Sequence, residues 1–177
     1  MNKKILVLFD LDGTLVNTAP DLMHAHNYVM RKYGFKERLA ILRLTKNVNL
    51  ETNPFHTWVE LLKQKKQITA FHDLFFSPIL YKHSATLLKQ ILDSEAHGIF
   101  HLSGEKDLNY YEFARGLAKY LGLSDNHVRG IGSSEAGVTL LDNYPVTRLR
   151  MVGISKRFNI KPVPVNEIYE YFGSNIC

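Results

Sequence analysis

The stretch GIFHLSGEKDLNYYEFARGLAKYLG, residues 98–122, places an apolar strand pattern directly before an amphipathic helix pattern. The opening GIFHL is mostly apolar and leads into small residues, which is typical of a buried strand. Asn109 and Glu112 then have the spacing of a capping box. Apolar residues recur on one helical face at Tyr110, Phe113, Leu117 and Leu121. The pattern predicts a strand over 98–103 followed by a helix over 109–121.

The same alternation of strand and helix patterns extends along the rest of the chain. Further strands are predicted at 4–9 and 39–45, helices at 18–33, 54–64, 82–92, 145–152 and 164–172, and a loop at 129–143. Such alternation predicts an α/β fold with a small, mostly parallel sheet and flanking helices. Strands 4–9, 39–45 and 98–103 are candidates for one sheet. Whether 4–9 lies beside 39–45 tests this prediction.

Composition narrows the functional classes. With 177 residues, 45% of them hydrophobic and 22% charged, the chain has the composition of an ordinary globular protein. The net charge of +5 comes from scattered lysines and arginines, and no basic stripe indicates nucleic-acid binding. The only cysteine is Cys177, which argues against disulfides and cysteine metal sites and favours a cytoplasmic location. We therefore expect neither a nucleic-acid nor a membrane partner.

The segment FDLDGTLVNT, residues 9–18, follows an apolar run and carries two aspartates two positions apart. An aspartate in the position of Asp10 can attack a phosphoryl group. A second carboxylate, Asp12, can protonate the leaving oxygen and later activate water. Mg²⁺ suits such a site because it prefers oxygen ligands and offsets phosphate charge. The segment predicts phosphoryl-transfer chemistry, with Asp10 and Asp12 as catalytic residues and Mg²⁺ ligands.

DLDGTLVNT resembles the first motif of the haloacid dehalogenase superfamily of phosphatases. The following APDLMHAHNYVMRKYGF resembles the first cap helix of its phosphoglycolate-phosphatase-like members. The resemblance covers residues 3–36. It implies Asp10 as nucleophile, Asp12 as acid/base and Thr14 as a substrate contact. Ser103 in IFHLSG offers an apparent second motif, but the acidic pair that completes the Mg²⁺ site in this family has no match downstream. The implied phosphatase site is therefore incomplete.

From about residue 39 the chain resembles a different family. The runs AILRLTK, NPFHTWVELLKQKKQITAFHDLFFSPI, GIFHLSGEKDLNYYEFARGLAKYLG and NYPVTRLRMVGI resemble the carboxyl-terminal part of extended short-chain dehydrogenase/reductases. The nearest subgroup is the dTDP-4-dehydrorhamnose-reductase-like sugar-nucleotide proteins. The resemblance extends over 39–172 and implies an incomplete Rossmann-like fold, a partial substrate domain. In that family a D-x-x-x-S-P segment leads into the substrate region. The candidate substrate-binding residues here are Phe71, Asp73, Ser77 and Pro78.

Members of this family open with a Gly-rich turn that binds the dinucleotide pyrophosphate, and no G-x-x-G-x-x-G occurs in this sequence. NAD(P) is therefore not expected. Tyr28 and Lys32 formally match the Tyr-x-x-x-Lys of the family, but only ten residues separate Lys32 from Arg43. This is too short for the helix end, turn and strand that follow in the family. The two resemblances predict a chimeric or truncated chain, with a phosphatase-like fragment over 1–38 and a reductase-like region over 39–177.

Three functions follow from these patterns. The first is a degenerate or partial nucleotide-sugar reductase substrate-binding region that lacks complete catalytic machinery. The second is a Mg²⁺-dependent phosphatase that uses Asp10. The third is a non-catalytic interaction module. The expected ligand is a nucleotide sugar or another phosphorylated small molecule, and the patterns leave open whether the chain is an enzyme and whether it forms oligomers.

Overall fold

The computed structural model describes residues 7–10, 19–36, 39–51, 53–139 and 145–175. The chain divides into two compact units. The first unit comprises the described parts of Met1–Leu44, Lys82–Leu102 and Leu149–Pro162. The second comprises the described parts of Thr45–Tyr81, Ser103–Arg148 and Val163–Cys177. Each unit therefore draws on separated segments of the sequence.

Strands and helices alternate along much of the described chain. The strands are β1 (Val7–Asp10), β2 (Ala40–Leu44), β3 (Lys46–Val48), β4 (Ile68–Phe71), β5 (Phe75–Phe76), β6 (Pro78–Leu80), β7 (Gly98–Leu102), β8 (Leu108–Asn109) and β9 (Val128–Ile131). The helices are α1 (Ala19–Lys32), α2 (Phe55–Lys63), α3 (Tyr81–Asp93), α4 (Tyr110–Tyr120), α5 (Val152–Phe158) and α6 (Val165–Ser174). A single 3₁₀ turn, Asp125–His127, precedes β9 in the described chain. The predicted α/β class is confirmed.

The first unit is built on a three-stranded parallel sheet in the order β1-β2-β7. Leu8, Ile41 and Ile99 stand opposite one another in its register. The three strands predicted to share a sheet therefore do so, and β1 lies beside β2. The apolar run of β2 is buried, as expected for a central strand of a parallel sheet.

Helices cover both faces of this sheet. Met23 of α1 and Ile99 of β7 pack against the buried Ile41. The ring of Phe158 in α5 lies 5.8 Å from that of Phe100 in β7. Consecutive strand residues point to opposite faces, so Ile99 and Phe100 turn towards different helices. This arrangement is the layered packing that alternating strands and helices produce.

The second unit contains three pairs of strands around an aromatic core. β3 pairs with β6 and β4 pairs with β9 in parallel, whereas β5 and β8 are antiparallel. The ring of the buried Phe55 lies between 5.4 and 6.2 Å from five neighbouring rings: those of Trp58, Phe76, Tyr110, Phe113 and Phe172. These contacts hold α2, α4 and α6 together by packing of side chains from distant parts of the sequence.

The predicted amino end of α4 and the predicted carboxyl ends of α1 and α4 are confirmed to within one residue. Asn109 Oδ1 accepts a hydrogen bond from the Glu112 backbone N–H at 2.7 Å, and Glu112 Oε2 accepts one from the Asn109 backbone N–H at 3.1 Å. This is the capping box predicted from their spacing. Gly34 and Gly122 follow α1 and α4 with φ of 72° and 68°. Glycine reaches this region without a steric cost, which explains why the helices end there.

The predicted helix at 145–152 is wrong, because α5 begins only at Val152. The backbone N–H groups of Thr147 and Arg148 instead donate to Asp107 Oδ1 at 2.7 and 2.8 Å. Arg148 Nε donates to Asp107 Oδ2 at 2.7 Å. A carboxylate distant in sequence therefore binds the backbone of this non-helical segment, and no local pattern reveals that contact.

The predicted loop at 129–143 is also partly wrong. Residues 128–131 form β9, which pairs in parallel with β4. The segment FFSPI, residues 75–79, for which no strand is predicted above, likewise contains β5 and part of β6. These strands are short, and their stability comes from partners elsewhere in the chain, so periodicity over a few residues does not indicate them. Residues 140–144 lie outside the described residues.

Asp107 gives the second unit a defined response to acid. Burial alone would raise the pKa of Asp107, but hydrogen bonds from Thr147 and Arg148 lower it below its ordinary value of 3.8. A carboxyl group with a lowered pKa stabilises the fold fully above its ordinary pKa and loses this contribution as pH falls through the folded pKa. We expect the free energy of unfolding to decline below about pH 4, and less steeply in Asp107→Asn.

Urea unfolding between pH 3 and pH 7 measures this response. Asp93→Asn is the matched control, because the side chain of Asp93 is 63% exposed in an ion pair with Lys89 on α3. Its profile should follow that of the unmodified chain. Identical acid slopes for Asp107→Asn and the unmodified chain would contradict the role given to Asp107.

Candidate ligand-binding site

A cavity of about 410 Å³ lies within the second unit. Its walls come from the carboxyl ends of β4 and β9 and from the amino ends of α2 and α4. The lining residues are Asn53, Pro54, Trp58, Thr69, Ala70, Phe71, Leu74, Tyr110 and Ile131. The carboxyl ends of parallel strands are the usual place for ligands in α/β proteins. The volume is within the range of about 300–1,000 Å³ found for small-molecule sites.

The lining of this cavity carries no charged side chain. Trp58, Phe71 and Tyr110 supply aromatic surface, and Asn53 and Thr69 supply exposed polar groups. Aromatic faces favour a flat partner, and uncharged walls favour a neutral one. The cavity is therefore suited to a planar, uncharged ring that can also form a few hydrogen bonds.

Asn53 has a fixed orientation at the amino end of α2. Its Oδ1 accepts a hydrogen bond from Thr57 Oγ1 at 2.7 Å. Because Oδ1 is engaged in this way, the carboxamide presents its NH₂ group as a donor. The position next to a helix amino terminus also favours partners that accept hydrogen bonds or carry negative charge.

Asp73 lies beside the cavity and ties two loops together. Its Oδ2 accepts hydrogen bonds from the Ser133 backbone N–H at 2.8 Å and from Ser133 Oγ at 2.7 Å. These bonds from Ser133 lower the pKa of Asp73 below its ordinary value. The contact joins the segment after β4 to the segment after β9, and both strands contribute lining residues. Asp73 thus shapes the cavity wall without being part of the lining.

The other predicted substrate-binding residues are placed differently. Phe71 lines the cavity, whereas Ser77 and Pro78 are buried outside its lining. Ser77 Oγ lies 3.4 Å from Oγ of the equally buried Ser103. Ser103, the apparent second phosphatase motif, is only 1% exposed. The structure therefore brings Phe71 and Asp73 to the cavity region, while Ser77 pairs with Ser103 in the interior.

The phosphatase-like residues are described only in part. Asp10 is the last residue of β1 and stands opposite Arg43 of β2 in the register. Asp12 and Thr14 lie outside the described residues. Within the described ranges, no group of three or more His, Cys, Asp or Glu side chains is arranged to hold a metal ion. The assignment of Mg²⁺ to Asp10 and Asp12 thus stays a prediction.

Sequence patterns did not identify Trp58 and Tyr110 as cavity residues. Trp58 is only 6% exposed, as is typical of a core residue, yet it also lines the cavity. Tyr110 was predicted to lie on the apolar face of α4, and it is the first residue of that helix. Their positions at the amino ends of helices that follow strands are a signal that could have indicated a ligand site.

The parallel sheet of the first unit, its covering helices and the paired strands of the second unit define part of a Rossmann-like short-chain dehydrogenase/reductase fold. A family profile described as RmlD substrate binding domain matches residues 33–167, more than half of the chain. The chain belongs to this family, the substrate-binding domains of dTDP-4-dehydrorhamnose-reductase-like proteins. No curated protein sequence matches it.

Solved structures with this fold include three sugar-nucleotide enzymes. The dTDP-4-dehydrorhamnose reductase of Clostridium acetobutylicum is 18% identical over 99% of this chain and 61% of its own, with a TM-score of 0.64. The dTDP-glucose 4,6-dehydratase of Bacillus anthracis is 10% identical over 86% of this chain and 49% of its own, with a TM-score of 0.62. The UDP-N-acetylglucosamine 4-epimerase of Bacillus cereus is 16% identical over 86% of this chain and 53% of its own, also with a TM-score of 0.62.

This chain therefore spans between 49% and 61% of the length of these three structures. At such identities the likeness establishes the fold. Neither the family profile nor these structures support the resemblance to phosphatases. They therefore provide no support for hydrolase activity or for a Mg²⁺ site. In the described part of the chain, no helix is both long and apolar enough to cross a membrane.

The dehydratase of Bacillus anthracis was solved with NAD, which raises the question of a dinucleotide here. A dinucleotide pyrophosphate is held by a Gly-rich turn between the first strand and helix of a Rossmann unit. In this chain β1 ends in Asp10, and the sequence LDGTLVNT that follows contains a single glycine. Residues 10–18 therefore lack the Gly-rich pattern of a pyrophosphate-binding turn.

Proposed function

We propose that the chain binds nucleoside-diphosphate sugars, with the nucleobase in the cavity of the second unit. The observation that carries this proposal is the uncharged aromatic lining formed by Trp58, Phe71 and Tyr110. Membership of the substrate-binding family supports a nucleotide-sugar ligand. The names of the structural neighbours refer to dTDP- and UDP-linked sugars, whose thymine and uracil bases are flat and neutral.

In this proposal, the diphosphate lies at the rim of the cavity. The rim includes Asn53, whose NH₂ group is turned away from Thr57 by the hydrogen bond at Oδ1. α2 begins at Phe55, and the amino end of a helix carries a partial positive charge that favours phosphate. The base enters the aromatic cavity because its faces can stack there, and the charged groups stay in contact with water.

The proposed activity is binding without reduction of the sugar. Because residues 10–18 lack a Gly-rich turn, the proposal assigns ligand binding to this stretch of chain and does not assign hydride transfer to it. The proposed boundary between a phosphatase-like fragment (1–38) and a reductase-like region (39–177) is retained as part of this proposal. The matched family profile begins at residue 33.

Trp58 provides a direct measurement of binding, because it is the only tryptophan of the chain and lines the cavity. We expect titration with thymidine 5′-diphosphate to change its emission saturably, with a Kd between about 1 µM and 1 mM. Deoxyribose 5-phosphate, which lacks the base, should produce no comparable change. Absence of a saturable change with both thymidine and uridine diphosphates, confirmed by calorimetry, would overturn the proposal.

Phe71→Ala tests whether the cavity is the binding site. Loss of an aromatic stacking surface costs about 1–3 kcal/mol per base, so affinity should fall by about tenfold or more. Phe35→Ala is the matched control, because Phe35 is 63% exposed and belongs to the first unit. It should leave the Kd unchanged. Equal affinities of the two variants would show that the base does not bind in this cavity.

The phosphatase interpretation of Asp10 and Asp12 has a separate test. Mg²⁺-dependent hydrolysis of a generic aryl phosphate that disappears in Asp10→Asn would establish it. No finding on the fold or family favours this second function, and the third, an interaction module, has no specific observation in its support. If a nucleotide sugar binds in the cavity, this result will argue against the third function, an interaction module that binds no small molecule.

A further inference from the structure

Tyr110 differs from the other polar residues of the cavity because its ring is held firmly in place. The ring centroid of Phe76 lies 4.4 Å from that of Tyr110. The ring of Phe55 lies 6.2 Å away and nearly parallel, at 12°, and that of Trp58 lies 6.1 Å away and nearly perpendicular, at 83°. Three aromatic neighbours therefore fix the direction of the phenol, whereas Asn53 and Thr69 are exposed at the surface.

The hydroxyl of Tyr110 has no hydrogen-bond partner among the described residues. Tyr110 forms a hydrogen bond through its backbone, whose N–H donates to the Leu74 carbonyl oxygen. The hydroxyl is not one of the fully buried polar atoms that lack a partner, so water or a ligand can reach it. Burial raises the pKa of Tyr110, so the hydroxyl keeps its proton near neutral pH and can donate it in a hydrogen bond. A fixed, protonated and accessible hydroxyl on a residue of the cavity lining can therefore take a ligand atom as its partner.

We propose that the Tyr110 hydroxyl donates a hydrogen bond to a keto oxygen of the heterocycle in the cavity, making Tyr110 a specificity-determining residue. This inference rests on the proposed function, because it assumes that a nucleobase occupies the cavity. It goes further by naming the chemical feature that is recognised. The stacking surfaces of Trp58 and Phe71 accept any flat ring, whereas a fixed hydroxyl favours rings that carry an acceptor at one position.

Tyr110→Phe tests this assignment because it removes one oxygen and leaves the ring packing intact. We expect the Kd for thymidine 5′-diphosphate to rise about tenfold, the effect of one hydrogen bond. Thermal stability without ligand should be unchanged, since the hydroxyl has no partner among the described residues. Binding of deoxyribose 5-phosphate, which has no base, should be equally weak in both proteins.

Tyr111→Phe is the matched control. Tyr111 is the next residue of α4, lies outside the cavity lining and stacks with the guanidinium of Arg115, whose carbon is 5.6 Å from the ring centre. Its loss of a hydroxyl should leave the Kd for thymidine diphosphate unchanged. A tenfold loss confined to Tyr110→Phe supports the proposal.

The other outcomes separate the two levels of inference. If the unmodified chain binds no nucleotide, the proposed function fails and the role of Tyr110 fails with it. If the unmodified chain binds and Tyr110→Phe binds within twofold of it, only the role of Tyr110 is overturned. If Tyr110→Phe also lowers the unfolding temperature of the free protein, the hydroxyl has a structural role, which equally overturns the proposal.

Discussion

Replacing Phe113 with alanine is expected to lower the free energy of unfolding of the second unit by about 3–5 kcal/mol. Phe113 is completely buried. Its ring contacts four others, with centroid distances between 5.3 and 6.2 Å: those of Phe55, Phe76, Tyr169 and Phe172. These four rings come from three other elements, α2, β5 and α6. Packed aromatic neighbours cannot collapse fully into the space that the substitution leaves.

Urea unfolding followed by circular dichroism and by Trp58 emission measures this loss. Trp58 belongs to the same aromatic core, so its emission reports directly on the second unit. Phe113→Leu retains most of the buried volume and should cost clearly less than alanine. Phe35→Ala, at a site that is 63% exposed, should change stability by less than about 0.5 kcal/mol. A loss below about 1 kcal/mol for Phe113→Ala would show that this core tolerates a cavity.

Gly104→Ala is expected to have the second largest effect, a destabilisation of about 1–3 kcal/mol. A Cβ atom at Gly104 would lie 2.6 Å from the Pro78 carbonyl oxygen and 2.7 Å from Ser77 Oγ. The first of these atoms is backbone, so a change of rotamer cannot relieve the contact. Gly104 also forms a parallel bridge with Val163, which restricts its movement away from Pro78.

Gly153→Ala is the matched control for this substitution. Gly153 lies in α5, and a Cβ atom there would have no neighbour within 4 Å. Alanine is the better helix former, so Gly153→Ala should stabilise the protein by about 0.5–1 kcal/mol. Opposite signs for the two substitutions in thermal unfolding would support the close approach at Gly104. A stabilising effect at both positions would refute it.

Local patterns predicted the elements whose causes are local. The capping box of Asn109 and Glu112 and the helix ends just before Gly34 and Gly122 depend on neighbours within a few residues. The strand patterns of β2 and β7 were likewise visible, because strands buried on both faces form continuous apolar runs. The family resemblance over 39–172 was also evident, since it extends through several consecutive elements.

Local patterns failed where a distant partner decides the conformation. The segment around Thr147 is not helical, because Asp107 accepts the backbone N–H groups of Thr147 and Arg148. β9 exists because β4 pairs with it. The phosphatase-like motif at Asp10 is a pattern of a few residues, and no finding on the fold or family extends it. The motif at Asp10 correctly indicates the end of β1, but the phosphoryl-transfer chemistry that it predicts stays untested.

The amino-acid sequence by itself determined that this protein is an α/β chain with a reductase-like substrate region and a capped, amphipathic α4, because these properties depend on periodicity and short-range hydrogen bonds. Only the tertiary structure decided which residues form a cavity. Trp58, Phe71 and Tyr110 belong to three separate elements, and of these only Phe71 was indicated as a binding residue, by the family resemblance. They become a candidate binding site because strand pairing and helix packing bring side chains from distant segments around one space.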